Sequence, residues 1–107
     1  MTGLASRHCT ALEGHPAMAP AEVATQLQGV DGWLFNAGAI EKTFRFPDYH
    51  RTMAFVNAVA WIAHREDHHP DIAFGYNRCT LRFNTHSVGG ISINDFICAA
   101  KVDALGA

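Results

Sequence analysis

The chain is short of most features that would place it in a broad class at once. At 107 residues it is one compact domain, long enough for a core but too short for a deep enclosed site. Charge is sparse: 8 Lys plus Arg face 10 Asp plus Glu, 17% of residues are charged, and the formal charge is -2. No basic run occurs, so there is no electrostatic reason to expect direct nucleic-acid binding. No apolar run approaches the ~20 residues that cross a bilayer, and no membrane association is expected. Met1 to Thr10 lacks a basic stretch leading into an apolar one, so no secretory signal is expected either. The 3 cysteines, Cys9, Cys79 and Cys98, are odd in number and far apart. That implies no disulfide framework and a reducing, cytoplasmic setting. Cys79 and Cys98 fall in apolar patterns and read as small buried hydrophobes. Internal repeats and linkers are also absent.

Histidine is what the chain has in quantity: 7 residues, with His64, His68, His69 and His86 in one stretch and His8, His15 and His50 scattered. Residues 1–18 show no sustained periodicity and carry Gly14 and Pro16. They read as a loose N-terminal arm ahead of a single domain at 19–107. Pro20 opens a helix in which Val23, Leu27 and Val30 keep rough helical spacing, and Gly29 and Gly32 close it. Two strand-like stretches follow. Gly32 to Ala37 places Trp33 and Phe35 on one face. Ile40 to Phe46 alternates Ile40, Phe44 and Phe46 against Glu41, Thr43 and Arg45. Asn36, Ala37 and Gly38 between them suit a hairpin turn.

Pro47 and Asp48 start a long helix with Tyr49, Met53, Val56, Ala60 and Ala63 on one stripe, widened by Phe55, Val59 and Ile62. Pro70 disfavours helix at His69, so this helix should stop near His68. In Asp71 to Tyr76, Ile72, Phe74 and Tyr76 share a face. In Arg78 to His86, Cys79, Leu81 and Phe83 face the core. Gly89 and Gly90 turn the chain, and Ser92 with Asp95 reads as a capping box on a last helix with Ile93, Phe96, Ile97, Ala100 and Leu105 inward. The order α-β-β-α-β-β-α predicts an α+β fold, a four-stranded antiparallel sheet with three helices on one face.

The segment His64-Arg65-Glu66-Asp67-His68-His69-Pro70 is the most unusual. Histidine is the side chain suited to giving and taking protons near neutral pH. Three readings compete. His64 and His68, four apart, suit a shared zinc ion, but Glu66 is misplaced for the usual metalloprotease pattern. A solvated, idle helix end is the plain alternative. The third is an acid–base site of His68, His69 and His86. Asp95 is fully explained by the capping box and reads as structural.

His68-His69-Pro70, Tyr76, Thr85-His86, Gly89-Gly90 and Asn94-Asp95-Phe96 together resemble the pterin-4a-carbinolamine dehydratase family. Thr43-Phe44-Arg45-Phe46 and Ala54-Phe55-Val56-Asn57 add to the resemblance, which runs from about Gly32 to Leu105. It implies a dehydratase that removes water from 4a-hydroxytetrahydropterin, without metal or other cofactor, for an aromatic amino-acid hydroxylase. It implies His68 and His86 as acid and base, with His69, Pro70 and Tyr76 at the pterin. It also implies a dimer or homotetramer, and an alternative class of non-catalytic members that stabilise transcription-factor dimers or assist Rubisco assembly. One position departs: the residue four before His68 is often acidic in the family and is His64 here. Glu66 or Asp67 would be the nearest substitute carboxylates, though on other helix directions.

Overall fold

The computed structural model describes residues 3–106; Met1, Thr2 and Ala107, the outermost limits of the expected arm and domain, lie outside the described residues. After a short 3-10 turn at Leu4–Ser6, the elements are α1 (Pro20–Leu27), β1 (Leu34–Asn36), β2 (Ala39–Arg45), α2 (Tyr49–Glu66), β3 (Asp71–Phe74), β4 (Arg78–Phe83) and α3 (Ile93–Asp103). The four strands form one antiparallel sheet in the order β1-β2-β4-β3. The two hairpins therefore meet along β2 and β4, with β1 and β3 at the edges. This is the α+β arrangement expected from the pattern.

Local chemistry accounts for the boundaries. Pro20 occupies the first turn of α1, where its missing N–H costs nothing. Ala37 and Gly38, both at positive φ (50° and 84°), make the two-residue turn between β1 and β2. The Asp48 carboxylate accepts from Arg51 N at 2.8 Å and caps α2. Asp67 at φ 50° ends α2 in the left-handed conformation, one residue before His68.

The core lies between one sheet face and the helices. Ile40, Phe44, Cys79, Leu81 and Phe83 meet Phe55 and Val59 of α2 and Phe96, Ala99 and Val102 of α3. Trp33 packs edge-on against Phe44, its Nε1 donating to Asp103 at 3.0 Å. Lys42 lies on the inward face of β2, yet its Nζ reaches Asp103 at 3.0 Å and the Asp31 carbonyl at 2.7 Å.

Two features differ from the sequence expectation. The buried stripe of α2 is Thr52, Phe55, Val59 and Ala63, whereas Tyr49 and Ala60 are exposed. A hydropathy reading discounts Thr52, but its hydroxyl donates to Asp48 O (2.9 Å) or Tyr76 O (3.0 Å), so its burial leaves no polar atom unpaired. The arm expected to be loose is instead fastened. Thr10 and Asn94 exchange backbone–side-chain hydrogen bonds of 3.2 and 2.8 Å, Met18 N donates to Ile91 O at 2.7 Å, and Lys101 Nζ donates to Ala5 O at 2.8 Å. The reason is α3, which is buried on most of its sides, with Asn94, Phe96, Ile97, Cys98, Ala99 and Val102 all away from solvent. The sheet and α2 cover only part of it, and the arm covers more, with Leu4 and Cys9 packed against the core.

Glu66 is the arm's anchor. Its side chain is 6% exposed and accepts from Cys9 N at 2.7 Å and pairs with His8 Nδ1 at 2.9 Å, with Lys101 Nζ at 3.6 Å. Burial pushes this carboxyl up, but the Cys9 N–H, His8 and Lys101 outweigh it and hold it below its ordinary value of 4.5. A carboxyl depressed in the folded state stabilises fully above its unfolded pKa, and that contribution fades as pH falls through the folded one. Glu66→Gln should therefore lower stability at pH 7 by about 1–2 kcal/mol. The gap to wild type should narrow on acidification below the ordinary carboxylate range. Urea melts of both proteins across pH will check this; a gap independent of pH would show that the charge is not what holds the arm.

Candidate functional site

The histidines gather at one end of the β3–β4 hairpin. His68, His69 and Pro70 lead into β3, and Asn84, Thr85 and His86 leave β4, because antiparallel pairing sets the start of one strand beside the end of the other. A cleft of about 330 Å³ is lined by Asp67, His68, His69, Asn84, Thr85, His86 and Ser87. That is within the range of small-molecule sites, at its lower end. His69 and His86 are exposed at its rim, while the His68 side chain is 11% exposed. Its ring lies parallel to Phe83, 6° between planes, which fixes the imidazole orientation.

His68 rests on Asp95. Nε2 lies 2.6 Å from Asp95 Oδ1, and Asp95 is fully buried. The other oxygen, Oδ2, accepts from Thr85 Oγ1 at 2.8 Å and from Ser92 N at 2.9 Å. Thr85 spends its only hydroxyl proton on Asp95, so the adjacent Ser92 hydroxyl donates to Thr85 Oγ1. Ser92 Oγ in turn accepts from Asn94 N at 3.2 Å. A carboxylate only accepts, so the His68 proton sits on Nε2 and the neutral ring keeps its free lone pair on Nδ1. Asp95 can thereby orient a proton-accepting imidazole and stabilise it once charged.

The capping box read from the sequence is present, but it does not account for all of Asp95, which also meets His68. A carboxylate has about four acceptor positions. The cap uses one, and the burial of Asp95 leaves the others needing donors. The signal was a capping acid next to Thr85-His86 in a chain rich in histidine.

Two other sequence candidates fall elsewhere. Tyr76 sits in the turn between β3 and β4, at the opposite end of the hairpin, 65% exposed and stacked on Tyr49 with centroids 6.4 Å apart. Within one chain it does not line the histidine cleft. His64 stays on α2, 5.9 Å from the Trp61 ring. The chain reverses at Asp67, so His64 and His68 do not stand one turn apart on a single helix face. Among the described residues no group of three His, Cys, Asp or Glu is arranged to hold a metal. Arg82 donates to Glu41 Oε1 (3.0 Å) and to the carbonyls of Asn36 and Ala37, holding the first hairpin to β4. The acid missing at position 64 is not replaced by Glu66, which the arm occupies, but Asp95 already supplies a carboxylate to His68.

A larger cavity of about 440 Å³ lies away from the histidines, between α1, Phe35 and Gly89–Ile91. Its lining, Met18, Val23, Leu27 and Ile91 among it, has no titratable group. It cannot move protons, so the smaller polar cleft is the candidate site despite its size.

The family model described as pterin 4 alpha carbinolamine dehydratase matches residues 16–105. A Nitrosospira multiformis protein provisionally named pterin-4-alpha-carbinolamine dehydratase is 52% identical over 103 residues, covering 95% of this chain and 91% of its own. A Xanthomonas campestris pv. campestris protein with the same provisional name is 56% identical over 105 residues, covering 95% and 89%. The crystal structure of a transcriptional coactivator/pterin dehydratase from Brucella melitensis superposes with TM-score 0.79 at 30% identity, over 85% of this chain and 99% of that one. A pterin dehydratase-like protein identified as a RuBisCO assembly factor in the alpha-carboxysome superposes with TM-score 0.59 at 26% identity, over 70% and 87%.

The Asp95–His68 bond makes a prediction of its own. In wild type, nitrogen NMR should find the neutral His68 ring protonated on Nε2. Asp95→Asn keeps an oxygen for Thr85 and Ser92 and turns an amide N–H toward His68, so the proton should move to Nδ1. An Nδ1-protonated ring in wild type would refute the pairing. Asp95→Ala, which strands the donors of Ser92 and Thr85, should cost about 2–4 kcal/mol in a urea melt.

Proposed function

Because the chain belongs to the pterin 4 alpha carbinolamine dehydratase family, we propose that it removes water from a 4a-hydroxytetrahydropterin to give the quinonoid dihydropterin. In this reading it recycles the cofactor of an aromatic amino-acid hydroxylase in the cytoplasm. The observation that carries the proposal is His68, held by a buried carboxylate in one tautomer, in the same cleft as His69 and His86.

Dehydration needs two proton transfers. The hydroxyl on C4a leaves as water only if it gains a proton, and the ring nitrogen must lose one for the new double bond to form. The two transfers cancel, so no net acid or base is consumed. His68 and His86 divide these roles, one as imidazolium donor and one as neutral acceptor. Asp95 favours His68 in either state, accepting the Nε2 proton while Nδ1 gains or gives its own. His69 and Pro70 hold the pterin edge at the rim. No metal or further cofactor enters the scheme.

His68→Ala and His86→Ala should each reduce kcat/KM for the hydroxylated pterin by a factor on the order of 10²–10⁴. Both should remain folded, since neither side chain belongs to the apolar core. Wild-type turnover in both variants would reject the assignment. The alternative is a non-catalytic binding module or assembly factor, a class represented by the RuBisCO assembly factor above. It requires an inactive wild-type protein and a partner complex that survives loss of both histidines.

We also propose a symmetric homo-oligomer, a dimer at least and a tetramer by family resemblance. Phe74 on edge strand β3, Tyr76 in the turn after it and Trp61 on α2 are 41%, 65% and 61% exposed. Edge strands and exposed aromatics are features that chains of this size bury against copies. Light scattering over a dilution series should give a multiple of the 11.7 kDa chain mass. A single-chain mass throughout, with full activity, would overturn it.

A further inference from the structure

One pair of side chains, packed together at the edge of the core, has no part in the proton chemistry. Cys9 of the arm and Cys98 of α3, 89 positions apart in sequence, place their Sγ atoms 3.6 Å from each other. Both are free thiols; Cys9 is partly exposed and Cys98 fully buried. We propose that Cys9 and Cys98 form a reversible disulfide driven by a peroxide, a modification that locks the arm onto α3.

Neither thiol lies in a strand, so closing the pair disturbs no sheet ladder. The flanking backbone is already held in register by Cys9 N to Glu66 and by the Thr10–Asn94 pair, so little chain entropy remains to be lost. Roles follow from access. Cys9 meets solvent and reacts first. Cys98 is kept protonated by its hydrogen bond with Cys9, by burial and by the nearby Glu66 and Asp95 carboxylates. Cys9 gives up its thiol proton, its sulfur attacks a peroxide oxygen, the O–O bond breaks, and the leaving hydroxide takes up that proton, so a Cys9 sulfenic acid and water form. The Cys98 sulfur then attacks the Cys9 sulfur; its own proton leaves with the displaced hydroxide as a second water. Two thiols lose two electrons and hydrogen peroxide is reduced to two waters. Cys79, fully buried on β4 with no thiol beside it, stays reduced.

The lock has a local consequence. Cys9, Thr10, Leu12 and Glu13 wall a second cleft of about 290 Å³ that also touches His68 and Thr85. A covalent tie at Cys9 fixes that wall beside the imidazole. The proposal does not depend on which reaction the imidazole performs, and its primary readout is covalent.

The experiment treats the reduced full-length protein with hydrogen peroxide, alkylates free thiols and maps peptides without reduction. The expected result is a loss of two hydrogens per chain, one peptide joining Cys9 to Cys98, alkylated Cys79, and reversal by dithiothreitol. The oxidised form should melt at least ~5 °C above the reduced form, a shift absent in Cys9→Ser. Sulfinic or sulfonic acid on Cys9 with no bridge, or a Cys9 disulfide between two chains, would overturn the proposal. So would a similar melting shift in Cys9→Ser. The wild-type peptide map decides the matter even where that variant folds poorly.

Discussion

Burying a carboxylate is unfavourable unless its oxygens are filled with donors, and at Asp95 those donors come from three separate parts of the chain. Ser92 supplies a backbone N–H at the start of α3, Thr85 a hydroxyl from the exit of β4, and His68 an imidazole N–H from the entry of β3. Filling one carboxylate therefore fixes the relative positions of a helix and both strands of a hairpin. The His68 ring is oriented as a by-product of satisfying the acid. Thr85 adds to this through its backbone, which bridges Gly90 and closes the short 3-10 turn at His86–Val88. His86 is thus carried on a loop whose two ends are both tied to the same network.

The arm answers a second constraint. A helix that is buried around most of its surface needs cover on more sides than one sheet offers. In α3 the added cover is the segment from Leu4 to Thr10, stitched down by Glu66, Asn94 and Lys101. These are polar bonds to backbone groups, which hold an irregular segment without requiring it to form a helix or strand. That explains why the arm packs although its sequence has no periodicity.

The fold was legible because its signals are local and redundant. Alternation in β2 and β4, Pro20, the Ala37-Gly38 turn, Asp48 and the Ser92–Asp95 box each mark a boundary by independent chemistry. What was not legible depended on partners distant in sequence. Thr52 is buried because the Tyr76 carbonyl, 24 positions on, is within reach of its hydroxyl. The arm docks because of Glu66 and Asn94, and nothing within residues 3–18 signals that. At the site, His68, His69 and His86 were visible by residue type and are brought to one cleft. Tyr76, read onto the strand, lies in the turn after β3, because alternation gives the face of a side chain and not where the strand ends. Asp95 was half read: the sequence shows the oxygen that caps α3, and only the structure shows the one that meets His68.

The division of labour within Asp95 bears on how one fold can serve different ends. Oδ2, with Thr85 and Ser92, secures the helix cap and the β4 exit, and needs no histidine. Oδ1 faces His68 and is the part of the acid turned to the cleft. A change at His68 exposes one oxygen to the partly open cleft, where water can replace the imidazole at modest cost. A change at Asp95 strands two buried donors and loosens three elements. The acid is thus tied to the fold through more elements than the imidazole is. On the proposed scheme, proton transfer is gained or lost on this frame at the histidines, by single substitutions that leave the sheet, the cap and the core in place. Coactivator and assembly-factor names among structures of similar fold are what such a separation allows.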